Sequence, residues 1–172
     1  MNDCLEYTPL TILAIQKVSI IIPAYNAANF IADAVGSALS QTYHNIEVIV
    51  VNDGSNDGGL TEAIAKSFGD SIRYFHKPNG GVASALNFGI SKMQGDLFSW
   101  LSHDDIYTPD KIEREVAAFN DSGDQAIIYS DFFVLDKEGT QLYSHRLPSI
   151  PQGGMRCFLA ESSSLHGCTL LI

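Results

Sequence analysis

Short apolar runs and helix-spaced apolar positions take turns along this chain, and their order predicts its architecture. Val18–Ile22 is a β-branched run closed by Pro23, and Ile46–Val51 is a second that leads straight into Asn52-Asp53-Gly54-Ser55. Runs of this kind suit strands covered on both faces, as in parallel sheets. Between them Phe30, Ile31, Ala34, Val35, Ala38 and Leu39 fall at helical spacing, with Asn29 as a cap and an end near Tyr43. A helix over about 57–68, closed by Gly69, precedes a third short strand at Ile72–Phe75. His76-Lys77-Pro78-Asn79-Gly80-Gly81 then opens a helix with Val82, Ala85, Leu86, Gly89, Ile90 and Met93 on one face. A fourth strand (Leu97, Phe98, Trp100, Leu101) ends in Ser102-His103-Asp104-Asp105. Thr108-Pro109-Asp110 starts the next helix, with Thr108 as its cap; it carries Ile112, Val116 and Phe119 and is stopped by Gly123. Four strand–helix units in succession predict an α/β fold with a parallel sheet and right-handed crossovers.

Beyond Gly123 the pattern changes. Ala126–Leu135 is strand-like, Asp136–Gly139 is a turn, and Gln141–His145 is a hairpin partner. Pro148–Gly154 follows as a loop, Met155–Ala160 as a short helix and Cys168–Ile172 as an apolar strand. Residues 1–16 have no period and form an N-terminal extension.

Composition narrows the possible partners. The 172 residues predict one domain, and 45% hydrophobic against 17% charged residues is ordinary for a globular protein. Ten Lys plus Arg against twenty Asp plus Glu give a net charge of -10, which disfavours nucleic acid. A diphosphate ligand would then need a metal or backbone N–H groups beside it. Cys4, Cys157 and Cys168 are odd in number with no C-x-x-C spacing, so they read as reduced cysteines of a cytoplasmic protein. No apolar run reaches the length of a membrane span.

In a parallel sheet the loops after strands one, two and four share one rim with the amino end of the third helix, and that rim is where such sheets bind ligands. Each loop alone is compatible with an ordinary turn, but their convergence calls for more. The Tyr25 ring can lie against a base, and Asp53 can accept from a base N–H or a ribose hydroxyl. Gly80 and Gly81 permit close backbone approach to a phosphate at the helix N-terminus. Asp104 and Asp105 can hold a divalent cation against that phosphate. The residues therefore describe a nucleoside-diphosphate site. Neither G-x-G-x-x-G nor G-x-x-x-x-G-K-[ST] is present, which weakens dehydrogenase and P-loop readings.

Three stretches carry a resemblance: VSIIIPAYNAANFIADAVGSALSQTYHNIEVIVVNDGSNDGG, HKPNGGVASALNFGI and GDLFSWLSHDDIYTPDKIE, with GCTLLI further on. In this order and spacing the chain resembles the family-2 glycosyltransferases, bacterial-type enzymes of polysaccharide or glycan assembly. The resemblance implies a GT-A (Rossmann-like), mostly parallel sheet flanked by helices, with a small acceptor-side hairpin. It implies a nucleotide-binding part at 17–122 and a partial acceptor-side part at 123–172. Pro23, Ala24 and Tyr25 would line the nucleoside pocket, Asp53 would bind the base, and Asn79, Gly80, Gly81 and Asn87 would border the nucleoside and diphosphate. Asp104, followed by Asp105, matches the acid that coordinates Mn²⁺ or Mg²⁺; Ser102 stands where the family has its first acid. His103 is expected to face solvent or support the loop. The donor would be a UDP-, GDP- or dTDP-sugar and the acceptor a glycan or lipid-linked hydroxyl. Inverting members use a carboxylate base downstream of the strand that resembles GCTLLI. That base is expected beyond Ile172, which makes the chain resemble part of a longer enzyme. Peripheral membrane attachment and self-association are open alternatives to a free cytoplasmic monomer.

Overall fold

The computed structural model describes residues 15–122, 126–147 and 166–172. The expected loop at 148–154 and helix at 155–160 lie outside these, as does all but the last two residues of the extension. So do Cys4 and Cys157.

Strands β1 (Val18–Ala24) and β2 (Ile46–Asn52) form the centre of the sheet, paired in parallel from Val18 opposite Ile46 to Ala24 opposite Asn52. Every residue of β1 is buried, as a strand with both faces covered requires. Ile20, Ile22, Val48 and Val50 face one layer, with Ile31 and Val35 of α1 (Ile31–Leu39) and Ile112 and Val116 of α4 (Lys111–Ser122). That layer also holds α2 (Leu60–Lys66) through Ala65. Ile21, Ile49 and Val51 face the other side, against Ala85 and Leu86 of α3 (Val82–Ile90). With β3 (Arg73–His76), β4 (Leu97–Trp100), β5 (Ile128–Tyr129) and β8 (Leu170–Leu171), the order across the sheet is β3-β2-β1-β4-β8-β5. The first four are parallel; β8 runs antiparallel to both of its neighbours. β6 (Phe132–Leu135) and β7 (Gln141–His145) make a separate hairpin. This is the expected GT-A architecture, mostly parallel with a small hairpin.

Several boundaries differ, each for a local reason. β1 continues through Pro23 to Ala24. Ile21 accepts from Leu101 on the β4 side and Ala24 accepts from Asp53 on the β2 side. Alternation therefore turns the Pro23 nitrogen toward β4, which has already ended, and no ladder bond is lost. α1 begins at Ile31 without a capping side chain, because Ala27 O receives both the Phe30 and Ile31 amides; Asn29 is not its cap. It ends at Leu39, short of Tyr43. α2 is delayed to Leu60 by Gly58 and Gly59 in left-handed conformation, and Asp57 caps it instead by accepting from Thr61 N at 3.0 Å. Thr108 does not cap α4. The buried Gln41 does, taking Ile112 N at 3.0 Å while its Nε2 donates to Thr108 O at 2.8 Å.

The face of α3 also differs. Ala85 and Gly89 are buried, whereas Val82 and Ile90 are exposed. A Cβ on Gly89 would stand 2.5 Å from Ile21 Cγ2, so the glycine lets the helix lie directly on the sheet. The 126–135 segment divides into β5 and β6 at Ser130-Asp131, where Asp131 Oδ1 accepts from Leu147 N at 2.8 Å. Residues 167–169 form a tight turn, leaving Leu170–Leu171 as the inserted strand.

The rim away from the loops is fastened by a buried acid. Glu47 accepts from Ser19 Oγ at 2.6 Å, Arg73 Nη1 at 2.7 Å and Gly95 N at 3.1 Å, tying β1, β2 and β3 together.

Candidate active site

The carboxyl ends of β1, β2 and β4 and the start of α3 enclose a cleft of about 310 Å³. Reciprocal hydrogen bonds between Asn26 and Asn56, at 2.8 and 2.9 Å, lock the first loop to the second. Gly54 has φ of 71°, and a Cβ there would meet Asn79 N at 2.6 Å, so the second and third loops touch through a residue that must be glycine.

Of the residues expected at a nucleoside diphosphate, Pro23, Ala24, Tyr25, Asp53, Asn79, Gly81 and Asp104 line this cleft. Val82, Ala85, Ser102 and His103 complete its wall. Gly80 and Asp105 are not in the lining, and Asn87 is exposed along α3, outside it. His103 turns inward, with Nδ1 3.3 Å from Pro23 O. It is a wall of the cleft rather than a solvent-facing side chain.

Asp53 is buried at 3% exposure, and its carboxylate is already occupied. Gly80 N donates to both oxygens at 3.1 Å, Gly81 N to Oδ2 at 2.7 Å, and Lys77 Nζ to Oδ1. Burial pushes this carboxyl up, but the Lys77 hydrogen bond, the two amides and the Lys77 charge together hold it below the usual range. Asp53 thus clamps the 77–81 loop onto the end of β2. Lys77 was passed over in the sequence. The signal was there: it is the one Lys or Arg in the four rim loops of an acidic chain.

Gly81 opens α3 at φ 84° and ψ 167°, a conformation essentially restricted to glycine. The amides of Val82, Ala83 and Ser84 precede the first intrahelical bond, from Ala85 N to Gly81 O, and point out of the helix end.

The two adjacent acids serve different sides. Ser102 Oγ donates to Asp104 Oδ1 at 2.6 Å, and this hydrogen bond, against burial and with the nearby His103 and His166, lowers the Asp104 carboxyl. The serine in the place of an acid therefore orients Asp104. Asp104 lines both the cleft and a neighbouring groove of about 1620 Å³, which runs between α4, the β6–β7 hairpin and the His166 turn. Asp105 belongs to the groove alone, where its carboxylate lies within 4.8 Å of the buried Cys168 sulfur. Asp104, exposed and with one oxygen free of protein partners among the described residues, fits a hard cation that takes one carboxylate from protein and the rest from ligand and water.

A mostly parallel sheet of this topology is the fold of GT-A glycosyltransferases. The chain belongs to glycosyl transferase family 2, whose model matches residues 19–169. It is 53% identical over 159 residues to an uncharacterized glycosyltransferase of Rickettsia bellii, covering 90% of this chain and 23% of that protein. It is 43% identical over 118 residues to the chondroitin synthase of Pasteurella multocida, covering 67% of this chain and 12% of that one. Among solved structures, S. aureus TarS 1-349 in complex with UDP-GlcNAc superposes with a TM-score of 0.53 at 26% identity, over 62% of this chain and 31% of that one. The chain thus spans well under two thirds of the relatives it matches.

Proposed function

We propose that this chain binds a nucleotide-activated sugar in the 310 Å³ cleft and that the protein transfers the sugar to an acceptor hydroxyl in the adjoining groove. One observation carries the reading: Asp104 is a wall of both spaces, so the donor's diphosphate and the acceptor would meet beside it. Tyr25, 43% exposed on the cleft, offers its ring to the base. The Val82–Ser84 amides at the α3 N-terminus offer donors and a positive dipole end to the diphosphate. Asp53 and Asn79 hold those groups in place: Asn79 Nδ2 donates to Asp53 O at 2.9 Å.

Transfer is a single displacement with inversion. The acceptor oxygen bonds to the anomeric carbon, the carbon–oxygen bond to the diphosphate breaks, and the nucleoside diphosphate leaves. Asp104 would hold Mn²⁺ or Mg²⁺, which supplies charge stabilisation of the leaving diphosphate. The hydroxyl proton needs a base. We assign it to the part of the longer relatives that this chain does not span, because His145, His166, Asp131 and Glu161 do not match the family's base motif. Residues 17–122 would act as the nucleotide-binding part and 123–172 as part of the acceptor side. The chondroitin synthase likeness supports polysaccharide or glycan assembly as the setting. Among the described residues no helix is long and apolar enough to cross a membrane.

Calorimetric titration of UDP, GDP and dTDP, each with Mn²⁺ and with EDTA, tests this. Metal-dependent binding of one nucleotide, abolished in the Asp53→Ala/Asp104→Ala double variant, is the expected result. Undiminished binding in that variant would sink the site. Binding without sugar transfer would reduce this chain to a nucleotide- and metal-binding module.

A further inference from the structure

Outside the cleft, Asp105, His166 and Cys168 bring three different ligand types together. Asp105 comes from the loop after β4, and His166 and Cys168 come from the turn that enters β8. Their ligand atoms all lie within 4.8 Å of one another. Cys168 is buried, Asp105 half-buried and His166 exposed, and all three line the groove. The turn that carries two of them is fixed, because His166 O accepts from Thr169 N at 3.0 Å and from Thr169 Oγ1 at 2.6 Å. The sulfur is fixed too: Ser102 N donates to Cys168 Sγ at 3.1 Å, treating it as an acceptor.

A carboxylate, an imidazole and a thiolate form the donor mix of a borderline-soft ion such as Zn²⁺, which takes three protein ligands and keeps a fourth position open. Mg²⁺ and Mn²⁺ prefer oxygen donors. We propose that Asp105, His166 and Cys168 form a Zn²⁺ site, separate from the hard-cation position at Asp104, with its open position toward the groove. Binding releases the Cys168 thiol proton to solvent, and the thiolate and the Asp105 carboxylate become ligands. The ion then joins the β4 loop to the β8 turn across the floor of the groove. The inference does not depend on the glycosyl-transfer reading.

The test is titration of Zn²⁺ alone, and of Co²⁺ alone as its spectroscopic stand-in, into the 172-residue chain and into Cys168→Ser, His166→Ala and Asp104→Asn. One Zn²⁺ per chain and a thiolate-to-cobalt charge-transfer band are expected. Affinity should fall roughly tenfold or more in the first two variants. Asp104→Asn should retain the site, which separates it from the donor-side cation. A cobalt spectrum without the thiolate band, or unchanged Zn²⁺ affinity in Cys168→Ser, overturns the proposal. A second readout needs no variant. Zn²⁺, and not Mg²⁺, should slow alkylation of Cys168 followed by peptide mass spectrometry; equal rates with and without Zn²⁺ also overturn it.

Discussion

Replacing Asp53 by Asn keeps the shape of the side chain and removes its charge. In the folded protein its carboxylate takes Gly80 N, Gly81 N and the Lys77 ammonium, whose side chain is 14% exposed. Asn offers one acceptor oxygen, and its NH₂ would face another donor. Breaking a buried charged pair costs about 3–5 kcal/mol. Gly80 and Gly81 are exposed at the rim, where water can take over part of the bonding, so the lower end applies: about 3 kcal/mol. With a urea slope of ~2 kcal/mol per M, the unfolding midpoint should fall by about 1.5 M. Adding Lys77→Met should then cost much less than it does in the parent, a coupling on the order of 1–3 kcal/mol. The same clamp sets an acid limb. Because the folded Asp53 carboxyl lies below its ordinary value, its contribution is present above the unfolded pKa of about 3.9 and lost as pH falls through the folded one. The parent should therefore lose stability below about pH 4, and Asp53→Asn should show a shallower acid limb. A midpoint unmoved by the substitution, or identical acid limbs, would refute the clamp.

Three further outcomes are expected. Gly89→Ala drives a methyl against Ile21, and overpacking of about 1–3 kcal/mol should lower Tm by several degrees in calorimetry; an unchanged Tm would show that α3 can lift off the sheet. Tyr25→Ala should weaken nucleotide binding by about 1–3 kcal/mol in titration calorimetry while leaving Tm unmoved, since the ring is 43% exposed; equal affinity would remove Tyr25 from the site. Gln41→Ala leaves Ile112 N and Thr108 O without their partner, so stability should drop by about 1–3 kcal/mol. Amide exchange should accelerate at the start of α4, and uniform protection there would refute the cap.

The parallel half of the fold was legible because its central strands, β1 and β2, are long, apolar and buried on both faces, so pattern and environment agree there. The rim was legible for a related reason: parallel strands deliver their loops to one edge whatever the loops contain. Which oxygen meets which donor was not. Asp53 and Asp104 look alike in sequence, yet one is consumed by Lys77 and two amides, whereas the other, held by Ser102 alone, keeps one oxygen free among the described residues. The Asp104-Asp105 doublet suggested a shared duty, but successive side chains in a tight turn diverge, and Asp105 lies beside a cysteine 63 residues away in sequence. Gln41 was invisible as a cap because it comes from the loop after α1, 71 residues before the amide it takes. Asn29 and Thr108, local and of the favoured type, were outcompeted by tertiary partners. β8 was half legible: its apolarity marked a strand, but nothing in its period gave its direction.

That direction bears on the order in which the chain is built. β3, β2, β1 and β4 and their crossover helices are complete once residue 122 has been made, and every pairing among them, including the long-range one between β1 and β4, joins segments already synthesised by then. β5 is different. Among the described residues it is hydrogen-bonded in the sheet only to β8, some 40 positions later, so it must wait beside an unfinished edge until Leu170 and Leu171 arrive. On the ribosome that wait lasts on the order of seconds, with β4 presenting open backbone donors and acceptors throughout. A force profile of nascent chains should accordingly show two separate pulls, one as the parallel half leaves the exit tunnel and a second as β8 does. A single late pull would mean that the sheet forms only as a whole.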